Sequence, residues 1–359
     1  MAALATVAAG CIGTFRATPV LESRACGALL EGAGRVVAWY VPADAGDGRA
    51  LEAWCVGVGP VVLDTVPDED GWVAGGDSLR ILVWNVSAGG GDLEGFLERE
   101  AGLSCASPGG PAPPFVLMAQ EVYRRSDQVP RATAGTMVSL PAVERSRPGA
   151  REDVTVIARR CGLALFYVPA VRNGGEAFPD GREDRGNALL ANVALHDPIA
   201  IELPAEDSRR LAIGATVRSP AGDSVRLVTM HFTLLPKLWR NLTTGNAARV
   251  RQALGMLDAL SQVESARGSA GGMATVAAGD ANVWSHNDAA LRRLREAFPD
   301  SPEAVPGGTR GPFPADHLLF RRATGDATAG SIVPGSYRHV ASEYNSDHRP
   351  LGASYRFAP

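Results

Sequence analysis

Tyr344-Asn345-Ser346-Asp347-His348-Arg349-Pro350-Leu351 sets a carboxylate beside an imidazole in a loop, immediately before an apolar run that reads as a strand. Two such groups at a loop-to-strand junction can hold a metal, orient a water or neutralise charge on a phosphate. Taken alone, an Asp-His pair is common. It gains weight from upstream, where other apolar runs also stop at polar residues.

Working outward from that stretch, Leu79-Arg80-Ile81-Leu82-Val83-Trp84 is a buried-strand pattern ending at Asn85. Phe115-Val116-Leu117-Met118-Ala119 ends at Gln120-Glu121, and the run over 225–230 ends at His231. The run over 274–278 meets Gly279-Asp280-Ala281-Asn282, and Asp316 heads Asp316-His317-Leu318-Leu319-Phe320. Further strands are expected over 163–168, 188–195, 210–217 and 350–357. A helix is expected over 93–100. A second is expected over 247–260, where Val250, Leu254, Leu257 and Leu260 recur at spacings of three and four. Strands joined partly by turns and partly by helices predict an α+β domain with packed sheets. Strand ends on one rim of a sheet can converge on one pocket.

The polar set is chemically coherent. Asn85, Glu121 and Asp347 are oxygen donors that suit a hard cation such as Mg²⁺, with Mn²⁺ able to substitute. Asp280 and Asn282 stand two apart, so in an extended segment they point the same way. Asp280 can take a proton from water while Asn282 orients it. His231 and His348 can donate to phosphate oxygens as negative charge builds, and Asp316 can fix the tautomer of His348. A metal and donors around an in-line attack are the logic of phosphoester hydrolysis. Each element has a plainer reading as well: Asn85 as a turn residue, Glu121 as a solvated carboxylate, His231 as a core histidine, Gly279–Asn282 as a simple turn. Six of them in one order, each at a strand end, are hard to assign to turns alone. Gly89-Gly90-Gly91 lacks the spacing of a dinucleotide loop and the Lys-Ser/Thr ending of a phosphate loop.

Bulk properties set the frame. The 359 residues are 45% hydrophobic and 21% charged, as in an ordinary globular protein. A net charge of −4 argues against a broad basic surface for nucleic acid, while a local groove stays open. Lys237 is the one lysine, so nearly all cationic groups are guanidinium forks, which suit phosphate. Cys11 follows the apolar run Val7-Ala8-Ala9-Gly10, in the manner of a lipoprotein signal ending at a lipidated cysteine, although no Lys or Arg precedes it. Cys26, Cys55, Cys105 and Cys161 then form an even set able to make two disulfides. Export is the expectation, with a cytoplasmic enzyme holding five reduced thiols as the alternative. Residues 1–76 read as an N-terminal extension of unknown role. In it, a β-hairpin is expected from residues 36–41 and 51–56 around the turn Asp44-Ala45-Gly46-Asp47-Gly48, with a third strand at Val61-Val62-Leu63. An acidic linker, Asp68-Glu69-Asp70-Gly71, follows, and residues 77–359 form the main domain.

The order Trp84-Asn85, Gln120-Glu121, His231, Gly279-Asp280-Ala281-Asn282, Asp316-His317 and Ser346-Asp347-His348-Arg349-Pro350 resembles the endonuclease/exonuclease/phosphatase superfamily, the deoxyribonuclease-I-like proteins. Arg185-Gly186-Asn187-Ala188-Leu189-Leu190 is similar to a strand of that family, with Ala191-Asn192 in place of its usual Ser-Arg, and the helix carrying Arg249 and Gln252 is similar too. The resemblance covers the chain from about Leu79 onward. It implies a four-layer α/β/β/α sandwich and Mg²⁺-dependent hydrolysis. Glu121 is then the main metal ligand with Asn85 and Asp347 near it, Asp280 and Asn282 position the nucleophile or leaving group, and His348 is supported by Asp316. His231 as a second histidine is similar to the nuclease and sphingomyelinase branches. The expected activity is a nuclease or general phosphodiesterase. A phospholipase-C-like hydrolase of a phospholipid head group is the runner-up, and a non-catalytic binding module on the same fold is the alternative of another class.

Overall fold

The computed structural model describes residues 17–20, 37–64, 77–107, 112–131, 151–173, 181–206, 208–234, 245–266, 272–324 and 330–358. Cys11, Cys26 and the Asp68–Gly71 stretch lie outside them.

Two sheets carry the fold. The first orders its strands β1 (Ala17–Val20), β2 (Ala38–Pro42), β8 (His196–Glu202), β9 (Leu211–Arg218), β10 (Ser224–His231), β11 (Ala274–Asp280) and β12 (Asp316–Arg321). The second orders β13 (Ser331–Ile332), β15 (Leu351–Arg356), β4 (Ser78–Asn85), β5 (Phe115–Arg125), β7 (Glu183–Ala191), β6 (Ala164–Asn173) and β3 (Val62–Asp64), with β14 (Arg338–His339) also pairing β15. Between the sheets one apolar layer joins Ile81, Val83, Val116, Met118 and Leu189 to Ile213, Leu227 and Val276. The outer face of the second sheet is covered by α2 (Leu93–Phe96), its wider-wound continuation Leu97–Ala101, and α3 (Val154–Cys161). The outer face of the first is covered by α4 (Gly245–Ala266) and α5 (Ala289–Ala297). The layers are therefore α/β/β/α, the deoxyribonuclease-I-like sandwich. Burial on both faces explains why the central strands are near-continuous apolar runs without alternation.

Several expectations are corrected. The expected N-terminal hairpin is a strand followed by a helix: residues 45–55 form α1 (Ala45–Cys55). Asp44 caps it, accepting from the Gly46 and Asp47 amides at 2.8 and 2.9 Å. Leu51, Trp54 and Cys55 are buried at helical spacing, a period missed in so short a run. Nor do the strands before residue 77 stand apart from the sheets. β2 pairs in parallel with β8, and β3 pairs with β6. The strand expected over 188–195 is the end of β7, which starts earlier and stops at Ala191, and strand β8 and helices α3 and α5 went unrecognised. Cys105 and Cys161 form a disulfide, which ties the segment after α2 to the end of α3.

Candidate active site

The parallel pairing of β10 with β11 sets His231 opposite Asp280, and the antiparallel pairing of β11 with β12 sets Asp280 opposite Asp316. β4 lies parallel to β5 with Asn85 opposite Gln120. β15 returns antiparallel to β4, so the residues just before it, Asp347 and His348, arrive at the same rim. One end of the sandwich thus collects all eight expected residues.

Local backbone devices make this convergence fit. Gly279 takes φ +135°, and a Cβ there would lie 2.2 Å from the Met230 carbonyl oxygen, so only glycine lets β10 and β11 close at this level. Asn282 adopts φ +50°, held by its amide to Asp280 Oδ1 (2.8 Å) and its side-chain NH₂ to the Phe232 carbonyl (2.9 Å). Glu121 was expected at the end of its strand. Instead β5 runs on to Arg125, and Glu121 sits at an irregularity in the pairing with β7, between Ala119 and Val122, with φ +55°. A bulge of this kind re-aims a side chain, and a non-glycine residue at positive φ is held there by its surroundings.

The side chains form one connected cluster. Asn85 donates to Asp280 Oδ2 at 2.9 Å, and its own amide oxygen accepts from the Ser87 amide. His231 Nε2 lies 3.7 Å from Glu121 Oε1 and 3.6 Å from Asp280 Oδ2. His348 Nε2 lies 3.8 Å from the same Asp280 oxygen, while its Nδ1 meets Asp316 Oδ2 at 2.8 Å. The His348 loop is pinned by Ser346, whose hydroxyl donates to the Asn85 carbonyl (2.7 Å) and accepts from the His348 amide (3.0 Å). Trp84 donates its indole N–H to the His348 carbonyl at 3.1 Å. These contacts lock the end of β4, at Trp84 and Asn85, to the loop that carries His348.

Three arginines that sequence reasoning did not assign to the site complete it. Arg185 Nη1 is 3.1 Å from Glu121 Oε2, Arg210 Nη1 is 2.8 Å from His231 Nε2, and Arg310 Nη2 is 3.2 Å from Asp347 Oδ2. A lone arginine leaves no pattern in a chain where arginine is nearly the only cation. Arg185 alone had a signal, its place beside Gly186-Asn187.

The charges are sorted by environment. Burial favours a neutral Glu121, but Arg185 and Arg210 outweigh it and hold the carboxyl below its ordinary range. Burial, then Arg210 and Arg185, push His231 well below the usual imidazole value, so it is neutral. For His348, burial opposes the charge, yet Asp316 and Asp280 lift it to about 9, so it is an imidazolium at neutral pH. Burial raises Asp280 to about 6, against the pull of His348. Asp347 is likewise disfavoured by burial as an anion, but His348, Ser87 and Arg310 hold it below the usual carboxylate range.

Two donor groupings could meet a metal. Glu121, Asn85 and Asp347 offer hard oxygens, and the Glu121 side chain remains 20% exposed at the rim. Asp280, Asp316 and His348 offer ligand atoms within 4.8 Å of one another. In the second grouping an imidazolium already lies between two carboxylates, so its charge is met internally. The first grouping is the better match for Mg²⁺, which prefers oxygen.

The class these observations define is the deoxyribonuclease-I-like α/β/β/α fold with a polar, acid-histidine rim. The catalytic domain of human Nocturnin, solved with a bound sulfate, superposes at a TM-score of 0.52 with 16% identity, over 82% of this chain and 98% of that one. An endonuclease/exonuclease/phosphatase from Beutenbergia cavernae gives 0.48 with 16% identity (79% and 72%), and D. rerio TDP2 complexed with a single-strand DNA product gives 0.45 with 15% (78% and 100%). The Nocturnin likeness, at 16% identity, speaks to the fold alone. No family model and no curated protein matches the sequence.

Proposed function

We propose that this protein is a metal-dependent phosphoesterase that cleaves P–O bonds with an activated water, first of all a nuclease or general phosphodiesterase. The observation that carries the reading is the meeting of Glu121, His231, Asp280 and His348 on one rim, with Asp280 Oδ2 within 3.6 to 3.8 Å of both histidines. Glu121, with Asn85 and Asp347, would hold Mg²⁺, which supplies charge neutralisation on the phosphate and acidifies water. Asp280, titrating near 6, takes the proton of the attacking water as its oxygen bonds to phosphorus. His348, kept charged by Asp316, donates from Nε2 to the oxygens that gain charge as the P–O bond to the leaving oxygen breaks. His231 stays neutral and serves as a hydrogen-bonding partner rather than a second cation.

Export remains part of this proposal. The Cys105–Cys161 disulfide supports an oxidising compartment, and a lipid anchor at Cys11 would be its means of retention. Among the described residues no helix is long and apolar enough to cross a membrane.

The test is a substrate panel: single-stranded DNA, RNA, a nucleoside monophosphate and sphingomyelin vesicles, each with Mg²⁺, with Mn²⁺ and with EDTA. Cation-dependent release of nucleotides or phosphate supports the proposal. Phosphocholine release alone would move the activity to the head-group hydrolases. No turnover of any substrate would leave the binding-module reading in its place.

A further inference from the structure

Next to the polar cluster lies a cavity of about 430 Å³ whose lining includes Leu234, Trp284 and Phe313 together with Asn282, Arg310 and Asp347. Asn282 and Asp347 also belong to the rim, so cavity and cluster share a boundary. The aromatic part of the wall is built: Trp284 and Phe313 meet edge to face, with centroids 4.5 Å apart at 60°. Phe313 is also one of the few large apolar side chains exposed among the described residues, at 36%.

The segment carrying Phe313 is rigid. The amide of Phe313 donates to the Arg310 carbonyl at 3.0 Å, and the amides of Arg310 and Thr309 donate back to the Phe313 carbonyl at 3.1 and 2.9 Å. Gly311 permits the tight turn with φ +54°. Thr309 anchors the turn at its base. Its hydroxyl accepts from the Asp316 amide (2.9 Å), and its carbonyl accepts from the Arg349 amide (2.7 Å). The residues that fix the Asp316–His348 pair therefore also fix Arg310 and Phe313. Arg310 stands between the two regions. It pairs with Asp347, and its charge bears on Glu121, His231 and Asp280 as well.

An occupant of this cavity needs an anionic end for Arg310 and an apolar, flat body for the aromatic wall. The volume lies toward the lower end for small-ligand sites and suits one planar group with its sugar rather than a duplex. A membrane lipid would call for an apolar collar around the mouth. The other large apolar side chains exposed among the described residues, Val56 and Val156, sit on the unrelated elements that end and form α1 and α3. We propose that Trp284, Phe313 and Arg310 form a specificity subsite that seats a single nucleobase, with Arg310 reaching the adjoining phosphate, so that the substrates are nucleotide phosphoesters with an accessible base. This rests on the phosphoesterase reading above.

The experiment compares a thymidine dinucleotide with the same sugar-phosphate diester lacking both bases, in the wild type, Phe313→Ala, Trp284→Ala and Phe313→Tyr. Calorimetric titration with thymidine 5′-phosphate is run alongside, and thermal melts confirm folding. Base stacking on an aromatic side chain is worth about 1–3 kcal/mol. The alanine variants should therefore lose about 5- to 160-fold in kcat/KM for the dinucleotide, mainly through KM, and stay within about 2-fold for the base-free diester. Phe313→Tyr should restore the base-bearing rate, and thymidine 5′-phosphate should bind the wild type at least about 5-fold more tightly than Phe313→Ala. Equal losses on both substrates, or a wild type that turns over only vesicle lipid, would overturn the subsite. If nothing is hydrolysed, the phosphoesterase reading fails, and the titration alone still decides whether a base is seated.

Discussion

Replacing Asp316 with Asn removes one charge from the buried pair that sets the state of His348. The carboxylate lies 2.8 Å from Nδ1, and both side chains are nearly inaccessible. With Asp316 in place His348 titrates at about 9, so about 99% of it is an imidazolium at pH 7. Without that charge, burial is opposed chiefly by Asp280, and the midpoint should fall toward the ordinary imidazole value of about 6.5. At that midpoint about a quarter of His348 would carry the proton at pH 7. The difference of about 2.5 units corresponds to between about 3 and 4 kcal/mol of interaction between the pair, at about 1.4 kcal/mol per pKa unit. The assay has two parts: an NMR titration of labelled His348, and kcat/KM against pH for wild type and Asp316→Asn on the best phosphodiester of the panel. From these midpoints turnover in the variant should drop about 4-fold at pH 7 and about 80-fold at pH 8.5, as the protonated fraction falls. Asp280 feels both Asp316 and His348, so its own titration moves too, and the NMR midpoint assigns the change in the rate ratio of variant to wild type to His348. That ratio should rise as pH falls from about 8.5 to about 5.5, where the variant recovers its imidazolium. A flat ratio within about 3-fold of unity, with an unmoved His348 midpoint, would refute the reasoning.

Glu121→Gln keeps the shape but removes the charge that a cation would meet, so kcat should fall at least about tenfold and the Mg²⁺ concentration for half-maximal activity should rise at least about tenfold in a metal titration. Asp184→Ala should cost about 3–5 kcal/mol in urea unfolding. Asp184 is fully buried, paired with Arg124 through Nε at 2.9 Å and through Nη2, and it also accepts from Tyr167 Oη and the Gly59 amide at 2.8 Å each. A loss under about 1 kcal/mol would show that the pair is not what holds β5 to β7. His317 is buried, and burial, then Arg295, lowers its pKa to about 4. As pH falls below about 6.5 the unfolded chain takes up this proton first, so the stability present above 6.5 is lost toward pH 4, at up to about 1.4 kcal/mol per pH unit. His317→Gln should flatten the unfolding free energy over that window relative to wild type, and identical slopes would count against a neutral buried His317.

Much of the site was legible because its residues end doubly buried strands. The runs closing at Asn85, His231 and Asp280 are strongly apolar, and a polar residue at their end stands out. Asp347 and His348 were legible through the Ser-Asp-His-Arg-Pro run. Glu121 was expected at the rim for a partly mistaken reason, since its strand continues to Arg125 and a bulge rather than a strand end puts it there. Helix α1 was lost to a turn reading because Asp-x-Gly-Asp-Gly is at once a turn signal and, with Asp44 as cap, a helix start. Arg310, Trp284 and Phe313 were not legible as site residues. Their meeting depends on a turn held by Thr309 hydrogen bonds to residues 316 and 349, contacts that no local pattern encodes. Specificity is expected to come from loops such as 88–92, 128–150 and 236–246, and residues 132–150 and 236–244 of the last two lie outside the described residues.

The central claim is that Glu121, rather than the neighbouring Asp280–Asp316–His348 group, anchors a divalent cation. Anomalous diffraction from crystals soaked in Mn²⁺ tests it directly. The account predicts one strong peak within about 2.4 Å of a Glu121 carboxylate oxygen, with Asn85 or Asp347 completing the shell. A peak ligated by Asp280, Asp316 and His348, or a rim with no peak at Glu121, would contradict it.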